Sequence, residues 1–492
     1  MKFRSTRDVT AQATDALAAI IQGLAVDGGL FVPVAFPHPN YDLATLIQQP
    51  YQLIAQQVFG WFFNELSGLE VAATKAYGSQ WDTPSITPLT KQIAGNYYLE
   101  LFHGPTLAFK DVALQALPQL MRLAKEQGRN PNETIILTAT SGDTGTAALR
   151  GFKNILGTQV VVFYPQDGIS PIQKLQMLGQ TGANLHVVGI TGNFDQAQTR
   201  VKQIFNNPQI RQQLAQQKQQ FSSANSMNIG RLIPQITYYF SAYGQLVRQG
   251  VIKVGEKINF SVPTGNFGDI LAGYYAKKLG LPIHKLICAS NVNHVLTDFF
   301  QTGTYDRQRK FQVTNAPSMD ILVSSNLERL LFDAYRQDAE VINKLMQQLQ
   351  SQGTYQVTPQ VHKWLQATFA AGYATPNQVQ AEIRRVYEQA NYLIDPHTAV
   401  GSFVTQQYQA QTNDQHPCVI LATASPYKFP ETVLTAINSQ TNPPSGLAAI
   451  ETLAKFDTKP LTTGVKELFV DQPQSQLTIA PPEMTTTVLD LI

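Results

Sequence analysis

The sequence predicts an α/β protein built on a largely parallel sheet, with a mostly helical N-terminal unit and a helical insertion. Two observations predict it. From Tyr97 onward, apolar runs rich in β-branched residues recur at 134–140, 159–164, 185–190, 258–262, 286–289 and 419–422. Most are separated by helix-length segments, the pattern that a parallel sheet requires because its strands are joined by helical crossovers. At 492 residues, 43% hydrophobic and 14% charged, the chain can form one large domain or two to three ordinary ones with real cores.

Residues 11–25 read as an amphipathic helix, with Leu17, Ile20, Ile21 and Leu24 on one face and Gly28-Gly29 ending it. Residues 42–67 read as helical under the aromatic cover of Phe59, Trp61, Phe62 and Phe63. Two prolines, Pro84 and Pro88, then break the pattern, so residues 1–90 form the expected N-terminal domain. The α/β region is expected over 91–440. Its segment Tyr98-Leu99-Glu100-Leu101-Phe102 alternates like a strand, and 112–124 carries Val112, Leu117, Leu120 and Leu123 at helical spacing. The Gln-rich stretch 209–220, around Ile210 and Leu214, reads as a solvated helix face. Residues 296–395 show long helical patterns at 327–350 and 379–390 and no clear strand before Val419, which reads as an insertion. The segment 441–492, with prolines and short polar stretches, is expected to wrap the surface.

Composition excludes several classes. There are 36 basic and 34 acidic residues, a net charge of +2 and no basic block, so nucleic acid is not an expected partner. No apolar run is long enough to span a membrane, and Arg4, Arg7, Asp8 and Asp15 argue against a secretory leader. The two cysteines, Cys288 and Cys418, sit in apolar runs and offer neither zinc spacing nor a disulfide framework. They read as buried thiols of a cytoplasmic protein with no metal.

The candidate chemistry centres on His103-Gly104-Pro105-Thr106-Leu107-Ala108-Phe109-Lys110-Asp111. Lys110 opens a helix beside Leu107 and Phe109, where desolvation and the positive potential of the helix start would lower its pKa. Such a lysine is a nucleophile able to form a Schiff base with an aldehyde. Three further loops each follow a strand: Ser141-Gly142-Asp143-Thr144-Gly145, Thr264-Gly265-Asn266-Phe267-Gly268-Asp269, and Thr423-Ala424-Ser425-Pro426-Tyr427-Lys428-Phe429. The first two offer hydroxyls and backbone N–H groups at a helix start, which suits an anion. The second lacks the Gly-x-Gly-x-x-Gly and Walker spacings, so one small phosphate fits better than a dinucleotide. In open α/β sheets ligands bind at the carboxyl ends of strands, where all three loops lie. Singly, each has a plainer reading: a surface lysine on apolar neighbours, a capped turn, a Ser-Pro turn. Together they point to pyridoxal phosphate.

These stretches, with Asn225-Ser226-Met227-Asn228-Ile229-Gly230-Arg231, resemble the threonine synthase family, in the longer form whose N-terminal domain opens near Ser5-Thr6-Arg7. The resemblance runs from Phe3 to about Glu431 in the family's order. It implies the two-lobed tryptophan-synthase-β-like fold (fold type II of pyridoxal-phosphate enzymes), with a smaller lobe near 130–228, and conversion of O-phospho-L-homoserine and water to L-threonine and phosphate. By position, Lys110 is similar to the Schiff-base lysine and acts as the proton-transfer base. Gly265, Asn266, Phe267, Gly268 and Asp269 match the loop for the cofactor phosphate, and Thr423 the hydroxyl at the pyridine nitrogen. Ser141, Gly142, Asp143 and Thr144 match the substrate-carboxylate loop, and Ser226, Asn228 and Arg231 the substrate-phosphate region. The short form often has proline and an aromatic before that arginine, where Ile229-Gly230 stand here. A sister enzyme such as a serine/threonine dehydratase would need no second phosphate, so Arg231 discriminates. A cofactor-free scaffold is countered by Lys110, and a nucleotide-binding protein by the missing phosphate motifs. The oligomeric state is left open.

Overall fold

The computed structural model describes residues 1–91, 93, 95–166, 169–438, 442–470 and 477–492. Two sheets organise it. The larger has six strands in the order Phe369–Tyr373, Ile283–Ser290, Ile258–Pro263, Cys418–Ala422, Asn96–Glu100 and Leu89–Lys91. All neighbours are parallel except the last pair. The smaller has five parallel strands: Leu477–Ile479, Leu185–Ile190, Thr158–Pro165, Glu133–Ala139 and Gln219–Ser222. Every residue of Ile258–Pro263 and of Cys418–Ala422 is buried, because helices cover both faces of the sheet. Cys418–Ala422 accordingly reads as an unbroken apolar run, whereas Ile258–Pro263 alternates in sequence yet buries its polar residues too, with Asn259 donating to Asp414 and Ser261 to the Gly401 carbonyl. The strand expected at 98–102 is Asn96–Glu100, and the helix expected at 112–124 is divided into Lys110–Leu114 and Leu117–Gln127.

The N-terminal unit contains more strand than the helical reading foresaw. Lys2–Ser5, Thr14–Asp15 and Phe31–Pro33 form a three-stranded antiparallel sheet. The first helix is Ala16–Gln22, shorter than expected. Asp15 caps its start by accepting from the Ala18 amide, and Gly23 ends it at φ 70°, several residues before Gly28-Gly29. The helix Tyr51–Phe62 carries the expected aromatic cover onto the α/β region. Trp61 meets Phe240 with ring centroids 5.7 Å apart, and Phe62 stacks on Tyr275 at 6.2 Å. A Cβ at Gly244 would lie 2.3 Å from the Ile47 carbonyl oxygen, so glycine permits this close docking.

The segment 296–395 is not purely helical. Thr304–Asp306 pairs antiparallel with Thr354–Gln356, and Phe369–Tyr373 joins the edge of the larger sheet beside Ile283–Ser290. The last strand, Phe-Ala-Ala-Gly-Tyr, is small for a packing reason: a Cβ at Gly372 would come within 2.9 Å of Val404. Its composition therefore hides its strand character. The Gln-rich stretch is the helix Pro208–Gln216 followed by the strand Gln219–Ser222.

The expected boundary at 440/441 lies outside the described residues. Beyond it the chain does more than wrap the surface. Leu477–Ile479 extends the smaller sheet alongside Leu185–Ile190, and the helix Met484–Leu491 buries Met484 and Val488 in that lobe's core. The smaller lobe is thus completed by the far end of the chain.

Candidate active site

The three loops emerge from carboxyl ends of strands in both sheets and line one cleft, with Lys110 at its floor. Lys110 is the first residue of the helix Lys110–Leu114, and the chain before it is stitched to the third loop. The Phe109 amide donates to the Thr423 carbonyl at 2.8 Å, and the Ser425 amide to the Leu107 carbonyl at 3.0 Å. Leu107 is fully buried with φ 62°, a left-handed conformation that this stitching holds in place. Asp111 closes the turn by accepting from the Thr106 amide at 2.7 Å and its hydroxyl at 2.6 Å. A Cβ at Gly104 would lie 2.6 Å from Asp111, so this turn requires glycine.

Lys110 Nζ lies 3.0 Å from Asp143 Oδ2. Burial lowers the lysine pKa, and the Asp143 charge and hydrogen bond oppose that fall. Asp143 also meets Lys428 Nζ at 2.9 Å and accepts from Gln173 Nε2 at 2.8 Å and Ser318 Oγ at 2.9 Å. Burial alone would raise its pKa; the two lysines and the Gln173 amide reverse this and hold the carboxyl well below the usual carboxylate range. The Asp143 carboxylate is thus fully engaged by these four side chains. In this loop only the hydroxyls of Ser141 and Thr144 and the amides at the helix start offer donors. Gly142 does not line the cleft; it takes φ 131°, and a Cβ there would strike Gln173 at 2.5 Å.

The second loop runs from the strand Ile258–Pro263 into the helix Gly268–Lys278. Gly265, Asn266, Gly268 and Asp269 line the cleft. A Cβ at Gly265 would approach the Ser318 carbonyl oxygen to 2.9 Å, whereas one at Gly268 would meet nothing closer than 3.5 Å. The left-handed residue of the turn is Phe267, at φ 67°. Its ring points away from the cleft into a cluster with Phe300 and Phe369, centroids 5.9 and 5.8 Å away, so only its backbone can serve a ligand. Burial pushes the Asp269 carboxyl up to about 6, against the Ile270 amide and the charges of Lys110 and Arg231.

Arg231 and Ser226 line the same cleft beside this loop. Arg231 donates through one terminal nitrogen to the Ala224 carbonyl at 2.8 Å, while its buried Nε has no partner among the described residues. Burial lowers its pKa to about 10, with the Asp269 charge opposing. Asn228 turns its side chain away from the cleft. Its carboxamide donates to the Ile20 and Ser223 carbonyls, each at 3.0 Å, and accepts from the Gly230 amide at 2.8 Å. It caps the helix Ile229–Leu232, and Asn225 takes its place on the cleft wall. Thr423 lines the cleft.

Several residues in the cleft or buried behind it escaped the sequence reading. Lys428, fully buried, stood inside the third quoted loop, and a lysine amid apolar residues was the available signal. Ser318 and His397 come from distant segments without motifs. The His397 ring accepts from the Ser318 amide at 3.1 Å and is held by Asp395 at 2.6 Å. Away from the cleft, His284, Asp414 and His416 cluster, but their imidazoles stack at 4.2 Å and Asp414 already accepts from Tyr408, Asn259 and His416. The group reads as a structural tie.

The model of pyridoxal-phosphate-dependent enzymes matches residues 79–424, that of the threonine synthase N terminus residues 2–77, and that of the threonine synthase C-terminal region residues 398–460. The threonine synthase of Saccharomyces cerevisiae is 36% identical over 472 residues, covering 89% of this chain and 90% of that one. Human threonine synthase-like 1 is 40% identical over 432 residues, covering 85% of this chain but only 57% of that longer protein. The crystal structure of pyridoxal-phosphate-bound threonine synthase from Brucella melitensis superposes with a TM-score of 0.87 at 34% identity, covering 100% of this chain and 99% of that one.

Proposed function

This chain belongs to the threonine synthase family of pyridoxal-phosphate-dependent enzymes, and from that premise we propose that it converts O-phospho-L-homoserine and water to L-threonine and phosphate. The observation that carries this reading is the provision for two phosphates in one cleft. A helix-opening glycine loop at 265–269 stands beside Arg231, a buried arginine whose Nε is without a partner among the described residues. A dehydratase of the same fold would need only the loop.

The residues fit the cofactor. Lys110 Nζ is buried and within the cleft, where it can hold an aldehyde covalently. The backbone of Gly265, Asn266, Phe267 and Gly268, at the start of a helix, suits the cofactor phosphate. The Thr423 hydroxyl suits a neutral partner for the ring nitrogen. The bound cofactor supplies an electron sink for charge left on the substrate when protons leave carbon.

The chain's own residues do the rest. Arg231 and Ser226, with Asn225, grip the substrate phosphate by charge-assisted hydrogen bonds that form and break in each turnover. Ser141, Thr144 and the helix-start amides beside them hold the substrate carboxylate. Lys110 Nζ serves as the base that takes the proton from Cα and acts in the later transfer at Cβ. Asp143 orients that amine and Ser318 braces Asp143, so the base cannot swing out of reach. Phosphate leaves Cγ and water adds at Cβ. The buried unpaired thiols Cys288 and Cys418 support a reducing, cytoplasmic setting.

The test is direct. Cofactor-loaded protein given O-phospho-L-homoserine should release threonine and phosphate in equal amounts. Release of ammonia and a 2-oxo acid from serine or threonine, with no turnover of the phosphorylated substrate, would replace this reading with the dehydratase.

A further inference from the structure

Arg329 lies in the helix Leu327–Ala334 and is 1% exposed. Among the described residues no carboxylate forms an ion pair with it, since its neighbour Glu328 is engaged by Arg7 at 2.7 Å and by the Thr6 hydroxyl at 2.6 Å. A guanidinium buried without a counter-charge is expensive, so something must favour it. Its partners show what it joins. Nε donates to the Phe31 carbonyl of the N-terminal sheet at 3.0 Å, one terminal nitrogen to the Met227 carbonyl at 2.7 Å, and the other to the Asn326 side-chain oxygen.

Each of the last two contacts reaches the back of an anion loop. Met227 follows Ser226, and the turn that carries Ser226 is closed on its other side by the Asn228 amide donating to the Asn225 carbonyl at 3.1 Å. Asn326, oriented by Arg329, donates through its backbone amide at 3.1 Å and its Nδ2 at 3.0 Å to the Asn266 carbonyl. With that carbonyl drawn backwards, the N–H of Phe267, on the opposite side of the same trans peptide plane, is turned the other way.

We infer that Arg329 is a positioning residue for both phosphate sites, tying the loop 264–269 and the turn 225–228 to one another and to the N-terminal sheet. This rests on the two-phosphate reading of the cleft. The Arg329 charge, which Glu328 offsets only in part, is further offset by the anions it helps to seat beyond these two loops. The N-terminal sheet then belongs to the site without touching a ligand: the Phe31 carbonyl fixes the guanidinium from behind. Glu328 gripping Thr6 and Arg7 clamps the same sheet to the same helix.

The test uses the full chain carrying Arg329→Met or Arg329→Lys. Two readouts are taken: the cofactor dissociation constant after removal and re-addition, and the inhibition constant of inorganic phosphate against O-phospho-L-homoserine. Both constants should rise about tenfold or more in Arg329→Met and less in Arg329→Lys, while the melting temperature of cofactor-free Arg329→Met stays level or rises. A folded Arg329→Met with both constants within twofold of wild type overturns the inference, as does a lower melting temperature with unchanged affinities. Asn326→Ser, which leaves the guanidinium in place, keeps the test decisive where an Arg329 variant fails to fold. Its cofactor affinity should fall with phosphate inhibition unchanged, and unchanged cofactor affinity overturns the inference. Wild-type protein that is not inhibited competitively by inorganic phosphate would remove the two-phosphate reading itself, a separate outcome visible before any variant is made.

Discussion

The loops 141–144 and 264–269 share one grammar. Each follows an interior strand, contains glycine, opens a helix and places an aspartate in its first turn. Their aspartates nevertheless end in opposite electrostatic states. Asp143 is held far below the usual carboxylate range by Lys110 and Lys428, whereas Asp269, with no cation in ion-pair contact among the described residues, is pushed up to about 6. The difference teaches that loop position fixes where a carboxyl sits, and partners from distant segments fix its charge. Asp143 faces a lysine to be oriented; Asp269 faces the place proposed for anions, where a carboxyl that can be neutral does least harm.

The largest effect should come from the group between the two loops. Lys110→Ala is expected to lower turnover by about 10⁴-fold or more, since proton transfer alone contributes about 10²–10⁴ and covalent capture is lost with it. Borohydride reduction and peptide mapping of the wild type should recover the cofactor on Lys110; label on another lysine refutes the assignment.

Asp143→Asn breaks the comparison on the charged side. It leaves Lys110 and Lys428 as buried cations without their shared anion, and breaking such a pair typically costs about 3–5 kcal/mol. Denaturant unfolding at neutral pH should show that loss. Because the folded pKa of Asp143 is depressed, its contribution is present above the unfolded value of about 3.9 and fades as pH falls below it. The mutant and wild-type stabilities should therefore converge in acid, and parallel curves would mean that the aspartate is not the anion of this cluster.

Arg231→Ala sharpens the comparison on the anion side. Losing one partner of a desolvated charged contact costs about 2–5 kcal/mol, so kcat/KM for O-phospho-L-homoserine should fall about 30-fold or more with cofactor content normal. Near wild-type kinetics on a fully loaded mutant would take Arg231 out of the substrate site. Loss of cofactor instead would assign it to the other phosphate.

Asp269→Asn is the smallest and reads the pH sign directly. A folded pKa of about 6, above an unfolded value of about 3.9, means that the native protein binds this proton more tightly. Stability from this group is then complete in acid and lost as pH rises through about 6, to a total of about 3 kcal/mol. The asparagine variant should equal wild type near pH 4 and exceed it above pH 7 in the cofactor-free protein. A mutant that is less stable at every pH would show Asp269 charged and paired.

Much of this protein is legible in the linear chain. The parallel α/β architecture follows from apolar runs spaced by helix-length segments, and Lys110, the glycine loop at 265–269 and Thr423 stand in local patterns that place them at strand ends. Local chemistry suffices there because a strand, a turn and a helix start are each specified by neighbouring residues. Only the tertiary structure decided that Asp143 serves Lys110 and Lys428, that Asn228 is a cap, that small-residue Phe369–Tyr373 is a strand, and that Leu477–Ile479 completes a sheet begun more than 300 residues earlier. It also decided that Arg329, unremarkable in sequence, stands behind both anion loops. Those outcomes depend on which segments meet, and burial turns each meeting into a charge state or a hydrogen bond that no sequence window contains.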